Sequence, residues 1–319
     1  MKLIVTAAAV ALAGFAWGDA RAAEQKTIAV FTKNLTNPAY AAFRIAADQV
    51  ARTYGARTVH FVPQRPDSVD EQKALVEQVL KDKPDVVIFI PVDDVAMIDS
   101  VKRLNEAKIP IVLASNPLPG DFVTYVGADD YEIGYREAKY LFGKLGGEGK
   151  IVVIEGTPAA PTNRERLLRG YKRALTETPG IEVLASGVGN YQQPDAKRVM
   201  AKFLEEHVQI DAVLSANDSM ALGAVEALKE ANRSAIVIGI NGILPAVKLI
   251  AAGGMVASVD FNMFKIGCVA AQAAVRQLKH QALPEKIILP AEVIDKSNYE
   301  AWLSPVEQRT CPEWADVTK

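Results

Sequence analysis

The chain has 319 residues, of which 50% are hydrophobic, and a formal net charge of −2 at pH 7. Its length favours two domains, and its near-neutral charge argues against nucleic acid as a partner, because that partner requires a basic face. The three histidines, His60, His207 and His280, are scattered along the chain. The sequence therefore predicts no zinc site and no other cofactor.

The N-terminus has the pattern of a secretory signal. Lys2 precedes an apolar run at residues 3–17, and Ala20-Arg21-Ala22 forms a small-residue cleavage site. We expect a signal peptide at residues 1–22 and a mature protein that starts at Ala23 in the periplasm. The alternative is an N-terminal membrane anchor, although the apolar run is short for a membrane span.

The first half alternates β-branched runs with helical patterns. This rhythm predicts a parallel sheet with helices on both faces. The predicted strands lie at 27–31, 57–62, 86–90 and 109–114, and the predicted helices at 38–53, 70–81 and 97–107.

The same rhythm restarts after Gly127. The predicted helices lie at 131–145, 164–176, 195–207, 218–231 and 245–252, and the strands at 150–155, 181–186, 211–214 and 235–240. A last helix at 264–279 and a strand at 286–289 follow. The sequence thus predicts an α/β fold with two similar, doubly wound parallel-sheet lobes.

One segment of the second half is especially informative. Residues 212–223 read AVLSANDSMALG, in which an apolar strand stops at Asn217 and Asp218 has the character of a helix N-cap. Asn217 is therefore expected at the carboxyl end of a parallel strand, which is the edge where open α/β sheets bind ligands. This segment resembles the ribose-binding type of periplasmic sugar-binding protein, the type I solute receptors of ABC importers.

The resemblance covers roughly residues 27–289 and implies two lobes joined by a three-strand hinge, with crossings near 127–130, 260–263 and 290–292. It implies an N-terminal lobe at 23–128 plus 262–291, and a C-terminal lobe with a tail at 129–261 plus 292–319. The tail beyond Ser297 is longer than a simple ribose receptor would have. Hinge closure around a ligand is the expected motion.

By resemblance, the first lobe offers three ligand contacts. Asn37-Pro38 and Tyr40 match the family's N-N-P-F-F element, with Ala39 in place of one aromatic residue. The structural alternative for Asn37 is an ordinary N-cap before an N1 proline. Asn116 lies where ribose receptors carry an Asp-Arg pair, and it could equally be a turn residue before Pro117.

The second lobe offers the other expected contacts. Arg164 matches the arginine of the family's R-x-R-x-x-G-F helix, but one extra residue precedes Gly170 and leaves Arg166 as the alternative. The further expected contacts are Tyr191, Asn217, Asn241 and Asp260. Tyr191 could instead be core packing, and Asn217 could instead brace the loop before the next helix. Asp260 and Phe261 are neighbours on a strand and point to opposite faces, so only one can face the cleft.

The resemblance implies a periplasmic receptor that delivers a small sugar or polyol to an ABC permease, acts as a monomer and has no enzymatic activity. A chemoreceptor is a further candidate partner. The loss of two family carboxylates argues against ribose itself. An uncompensated arginine would favour a sugar acid or another small carboxylate, whereas an Asp260 in the cleft would balance the charge.

Two other functional classes compete with this hypothesis. A LacI-type ligand-sensing regulator shares the fold but would need a helix-turn-helix where the signal segment stands. A secreted enzyme is disfavoured because the sequence contains no nucleophile elbow or phosphate loop.

The chain contains two cysteines, Cys268 and Cys311. Export permits a disulfide between them, which would tie the C-terminal tail to the body. The alternative is a buried Cys268 and an exposed, unpaired Cys311.

Overall fold

The computed structural model describes residues 25–158 and 160–318. The predicted signal peptide at residues 1–22 and the predicted start at Ala23 lie outside the described residues. Within the described ranges the chain forms two six-stranded sheets. No helix in these ranges is long and apolar enough to span a bilayer.

The first sheet is parallel throughout. Its strands, numbered in chain order, are β1 (Thr27–Phe31), β2 (Arg57–Phe61), β3 (Val86–Phe89), β4 (Ile111–Ala114), β5 (Thr124–Gly127) and β11 (Lys286–Ile288). They lie in the order β11-β5-β4-β3-β1-β2. The helices of this lobe are α1 (Pro38–Thr53), α2 (Val69–Asp82), α3 (Ile98–Glu106) and α10 (Met263–Leu278).

The second sheet is parallel except at one edge. Its strands are β6 (Glu148–Glu155), β7 (Gly180–Val188), β8 (Ala212–Ser215), β9 (Ile236–Ile240), β10 (Ala257–Asp260) and β12 (Glu292–Asp295). They lie in the order β12-β10-β9-β8-β6-β7, and β12 runs antiparallel to β10.

The helices of the second lobe are α4 (Asp130–Lys144), α5 (Pro161–Asn163), α6 (Lys172–Thr176), α7 (Gln193–Glu206), α8 (Asp218–Glu230) and α9 (Leu244–Ala252). A π-helical segment, Arg164–Tyr171, joins α5 to α6.

Apolar patterning accounts for these elements. The strands Val86–Phe89 and Ile111–Ala114 are buried along their whole length, as expected for central strands covered by helices on both faces. On α1 the buried residues recur at helical spacing and include Phe43, Ala47 and Val50. The predicted fold of two doubly wound lobes is confirmed, and the structure adds β5 and β12, which the sequence pattern did not separate.

The chain passes between the sheets at three places, between β5 and α4, between β10 and α10, and between β11 and β12. These passages coincide with the crossings that the family resemblance implies. Residues that follow β10 therefore lie at the boundary between the lobes, next to any ligand held between them.

The C-terminal tail differs from the prediction, which placed it with the second lobe. Its first 3₁₀ turn, Tyr299–Trp302, packs against α9 of that lobe. The chain then returns to the first lobe, where Gln272 on α10 donates to the Pro312 carbonyl at 2.8 Å. A disulfide joins Cys268 on α10 to Cys311, so the paired alternative for the cysteines holds.

Candidate ligand-binding cleft

A cavity lies between the two lobes, at the carboxyl ends of the strands of both sheets. The cavity is lined by Lys33, Asn34, Asn37, Tyr40, Asp67, Ser115, Asn116, Thr162, Arg166, Tyr191, Asn217, Asn241 and Phe261.

The cavity brings together most of the residues that the sequence pointed to, namely Asn37, Tyr40, Asn116, Tyr191, Asn217 and Asn241. They come from both lobes and follow different strands. The strand-end rule explains this convergence, because parallel strands deliver their following loops to one edge.

Asn217 both lines the cavity and braces its own loop. Its side-chain oxygen accepts from the Met220 amide at 2.9 Å, which makes Asn217 the N-cap of α8. Its amide nitrogen donates to the Tyr191 carbonyl at 3.3 Å. The residue therefore retains only part of its hydrogen-bonding capacity for a ligand.

The expected N-cap, Asp218, is instead the first residue of α8 and is fully buried. It accepts hydrogen bonds from the Ser258 hydroxyl at 2.7 Å and the Ile243 amide at 3.0 Å, and so ties α8 to β10 and to the loop after β9. Burial raises the pKa of Asp218 to about 7, although these hydrogen bonds oppose the shift.

Asn37 and Asn241 face each other across the cleft. The Asn37 oxygen caps α1 by accepting from the Ala39 amide at 3.0 Å, and its amide nitrogen lies 3.5 Å from the Asn241 oxygen. Asn37 is therefore both the N-cap of α1 and a residue that lines the cleft. Asn241 has a φ of 122°, a conformation that costs backbone energy and is often found at functional sites.

Asn116 carries the clearest unfilled hydrogen-bonding position in the cleft. The residue follows β4 and is only 1% exposed, yet its side-chain nitrogen has no partner among the described residues. A buried donor without an acceptor is unfavourable. A ligand oxygen in the cavity would satisfy it.

The structure corrects the expectation for the arginine. Arg164 does not line the cavity, has a side chain that is 45% exposed and binds Asp94 of the first lobe at 2.6 Å. Arg166 is 4% exposed and lines the cavity. The extra residue before Gly170 is accommodated by the π-helical segment, which places one more residue in the turn and rotates Arg166 inward.

Two components of the second lobe hold Arg166. Its guanidinium pairs with Asp130 at 2.7–2.8 Å and stacks over the Phe261 ring at 4.8 Å from the ring centroid. Burial alone would lower the pKa of Arg166, but Asp130, together with Tyr191 and Glu137, outweighs burial and keeps that pKa above its ordinary value. Burial raises the pKa of Asp130, and Arg166 opposes that shift.

The structure also corrects Asp260. Phe261 lines the cavity, whereas Asp260 points to the opposite side of the strand end and accepts from the Trp302 indole nitrogen at 2.7 Å and the Asn262 amide at 2.6 Å. Burial raises the pKa of Asp260 to about 6, and the bond from Trp302 opposes that shift. The carboxylate thus anchors the C-terminal tail and does not face the cavity.

Tyr40 and Tyr191 supply aromatic walls, one from each lobe. The Tyr191 hydroxyl lies 3.1 Å from the Thr162 hydroxyl. The backbone of Tyr191 has a φ of 58°. The ring packs directly on Gly156, where a Cβ would lie 2.0 Å from the ring. A glycine is therefore required for Tyr191 to occupy this position.

The sequence analysis did not single out several of the polar lining residues, chiefly Lys33, Asn34, Asp67 and Thr162. Lys33 and Asn34 follow β1, and Asp67 lies in the loop after β2. The strand-end rule would have identified these three residues if it had been applied to every strand. Within the described residues, no three histidine, cysteine, aspartate or glutamate side chains are grouped to hold a metal ion.

Comparison with known proteins now decides the family. The model of the periplasmic binding protein domain matches residues 28–282, which is most of the chain. This chain belongs to the periplasmic binding protein family. The family's characterised relatives found in the comparison are binding and transport proteins and not enzymes.

One relative of this periplasmic binding protein agrees with that assignment. It is 26% identical over 297 residues to the ribose import binding protein RbsB of Haemophilus influenzae, a match that covers 93% of this chain and 100% of the relative.

Two solved structures resemble it in fold. A solute-binding protein of an ABC transporter from Actinobacillus succinogenes, with bound D-allose, has a TM-score of 0.82 at 28% identity and covers 87% of this chain and 100% of that one. Another from Bacillus halodurans, with bound myo-inositol, has a TM-score of 0.81 at 26% identity and covers 88% and 97%.

Proposed function

We propose that this protein is the periplasmic solute receptor of an ABC importer and that it binds a neutral sugar or polyol between its lobes. The observation that carries the proposal is the composition of the cavity, in which amides and hydroxyls alternate with the aromatic rings of Tyr40, Tyr191 and Phe261. Amides serve hydroxyl groups that both donate and accept, and rings cover the apolar faces of a sugar.

The charge of the cleft favours a neutral ligand over a sugar acid. Two cations, Lys33 and Arg166, line the cavity together with Asp67, and Arg166 is neutralised by Asp130 directly behind it. The charges therefore balance without Asp260. A carboxylate ligand would have to compete with Asp130 for Arg166, at a cost in desolvation.

Contacts across the cleft support closure as the binding mechanism. Asn37 approaches Asn241 inside the cavity, and Asp94 pairs with Arg164 outside the cavity lining, so both contacts join the two lobes. Separation of the lobes would break both contacts. A ligand that touches both walls adds further contacts in the closed state only and therefore shifts the population toward it.

The comparisons add support from relatives. One relative is named as a ribose import protein, and two similar structures contain D-allose and myo-inositol. We infer a ligand of this size and hydroxyl content, delivery to an inner-membrane permease, and action as a monomer. No observation of the cleft favours the regulator or the small carboxylate.

A thermal-shift screen tests the proposal. The panel contains D-ribose, D-allose, myo-inositol, xylitol and, as a charged comparator, D-gluconate. A ligand that binds only the folded state raises the melting temperature in proportion to ln(1 + [L]/Kd). We expect a neutral compound to give the largest shift. A shift from gluconate alone, or from none of the compounds, would contradict the proposal.

A further inference from the structure

Two charged side chains on the first-lobe wall, Lys33 and Asp67, make no ion pair or short side-chain hydrogen bond with a described residue that would explain their burial. Lys33 follows β1 and is 4% exposed, and Asp67 follows β2. Both line the cavity. β1 and β2 are neighbouring parallel strands, so their following loops deliver both side chains to the same corner of the cleft.

The two side chains are close enough to influence each other but do not form a direct ion pair in the described chain. Asp67 is the strongest acidic neighbour of Lys33, ahead of Asp130 and Asp93. No acceptor among the described residues lies within hydrogen-bonding distance of the Lys33 ammonium, although the Lys33 carbonyl accepts from the Asp67 amide at 3.1 Å. The backbone is therefore joined, while the charged ends remain apart.

Asp67 is similarly short of partners. Its carboxylate receives only long hydrogen bonds, both at 3.4 Å, from the Asn34 amide nitrogen. Burial raises the pKa of Asp67, and Lys33 opposes that shift. Burial also lowers the pKa of Lys33, and Asp67 opposes it. Both charged forms are thus poorly solvated and lack the bonds that would normally compensate.

The loop after β4 carries no charged pair, and Lys33 and Asp67 supply one to the cleft. After β4 the chain has Ser115 and Asn116, which are neutral and give weaker hydrogen bonds than a charged pair. Lys33 and Asp67 restore a donor and an acceptor with full charge, from the loops after β1 and β2.

We infer that Lys33 and Asp67 form a specificity subsite that reads adjacent hydroxyls of the ligand. The ammonium donates to one hydroxyl oxygen, and the carboxylate accepts the proton of the next. A site built to bond a hydroxyl rejects an analogue that lacks it, because its own buried polar groups would then have no partner. This inference rests on the proposed function, since it concerns the recognition of the same ligand.

The test uses three variants. Lys33→Met removes the charge while it keeps an unbranched chain, and Asp67→Asn preserves shape at a residue whose φ is 57°, a conformation that asparagine tolerates. Lys73→Met, at an exposed site on α2, is the matched control. Each is titrated by calorimetry with the tightest neutral ligand of the thermal-shift panel and with its singly deoxygenated analogues.

We expect Lys33→Met and Asp67→Asn each to weaken binding of the parent ligand by about 10- to 100-fold, the loss typical of a charged hydrogen bond. Lys73→Met should bind like the wild type. For each variant, one deoxy analogue should bind the variant and the wild type within about twofold, because the hydroxyl that the side chain reads is already missing.

Unchanged binding by Lys33→Met and Asp67→Asn would overturn the inference and leave the proposed function intact. An equal loss for every analogue would also overturn it, because it would indicate a structural role. If the wild type binds none of the neutral compounds, the proposed function fails, and this inference fails with it.

Discussion

The two walls of the cleft are built on different principles. On the second-lobe wall, Arg166 is engaged by Asp130 and Phe261, and Asn217 is engaged by Met220 and Tyr191. These groups are fixed before any ligand arrives, and their bonds also hold the lobe together. Pre-organised polar groups of this kind reduce the cost of ordering a site at the moment of binding.

The first-lobe wall is less satisfied internally. The Asn116 amide nitrogen lacks an acceptor among the described residues, and the Asp67 carboxylate has only long hydrogen bonds. These groups have bonds to gain from a ligand. The comparison teaches that substitutions of Arg166 or Asn217 should alter stability and binding together, whereas substitutions of Lys33, Asp67 or Asn116 should chiefly alter binding.

The largest effect is expected for Arg166→Ala. Removal of the guanidinium leaves Asp130 buried without its partner and should lower the free energy of unfolding by about 3–5 kcal/mol, with loss of ligand binding. Denaturant unfolding and calorimetric titration measure the two quantities.

The matched control for that variant is Arg164→Ala, two residues earlier in the chain, where the side chain is partly exposed and paired with Asp94. It should lower stability by less than about 1 kcal/mol. Wild-type stability in Arg166→Ala would show that the second-lobe wall does not depend on this ion pair.

A second prediction concerns pH and Asp218, the buried carboxyl that follows Asn217 in the chain. The pKa of Asp218 is raised to about 7 in the folded protein, above its unfolded value of about 4, so the folded state binds the proton more strongly. Stability from this group is therefore present at low pH and is lost as the pH rises from about 4 through 7.

Comparison with Asp218→Asn isolates this effect. Relative to that variant, the wild type should lose roughly 2–3 kcal/mol of unfolding free energy between pH 5 and pH 8. Parallel stability curves for the two proteins over this range would show that the raised pKa is absent. The size of this loss measures how much the buried Asp218 carboxyl contributes to the stability of the second lobe.

Asn116→Ala tests the first-lobe wall. Because the side-chain nitrogen has no internal partner, its removal should leave stability unchanged or slightly higher. Affinity should fall by about 1–3 kcal/mol, or 5- to 150-fold, because a ligand acceptor loses its donor. Asn105→Ala, a partly exposed amide on α3, serves as the control. A lower melting temperature with unchanged affinity would place Asn116 among the structural residues.

Asn217→Ala should give a mixed result, with a moderate change in both stability and binding. Loss of the α8 cap should cost about 1 kcal/mol of unfolding free energy, and affinity should fall as well, because the side chain lines the cavity. Melting and titration of the same preparation separate the two effects. Reduced stability with full affinity would identify Asn217 as a loop brace only.

The fold was predictable because its signals are local. Strand and helix periods, the apolar run at Val86–Phe89 and the restart after Gly127 are all visible in the sequence. The positions of Asn116 and Asn217 follow from the strand-end rule in the same way. These features depend on neighbours only a few residues apart.

The errors arose where distant residues decide. Arg166 replaces Arg164 because the extra residue is absorbed by a π-helical segment, which no residue pattern announces. Asp260 turns away from the cavity because Trp302, 42 residues later, offers it a hydrogen bond. The return of the tail to the first lobe depends likewise on a disulfide across 43 residues.

The most direct test of the account is a calorimetric titration of the wild type with a matched ligand pair. The pair consists of the neutral sugar or polyol that gives the largest thermal shift and a sugar acid with the same number of carbons. A charge-balanced cleft predicts that the neutral compound binds at least about tenfold more tightly, because the acid must disturb the pair of Arg166 and Asp130. Tighter binding of the acid would contradict the account.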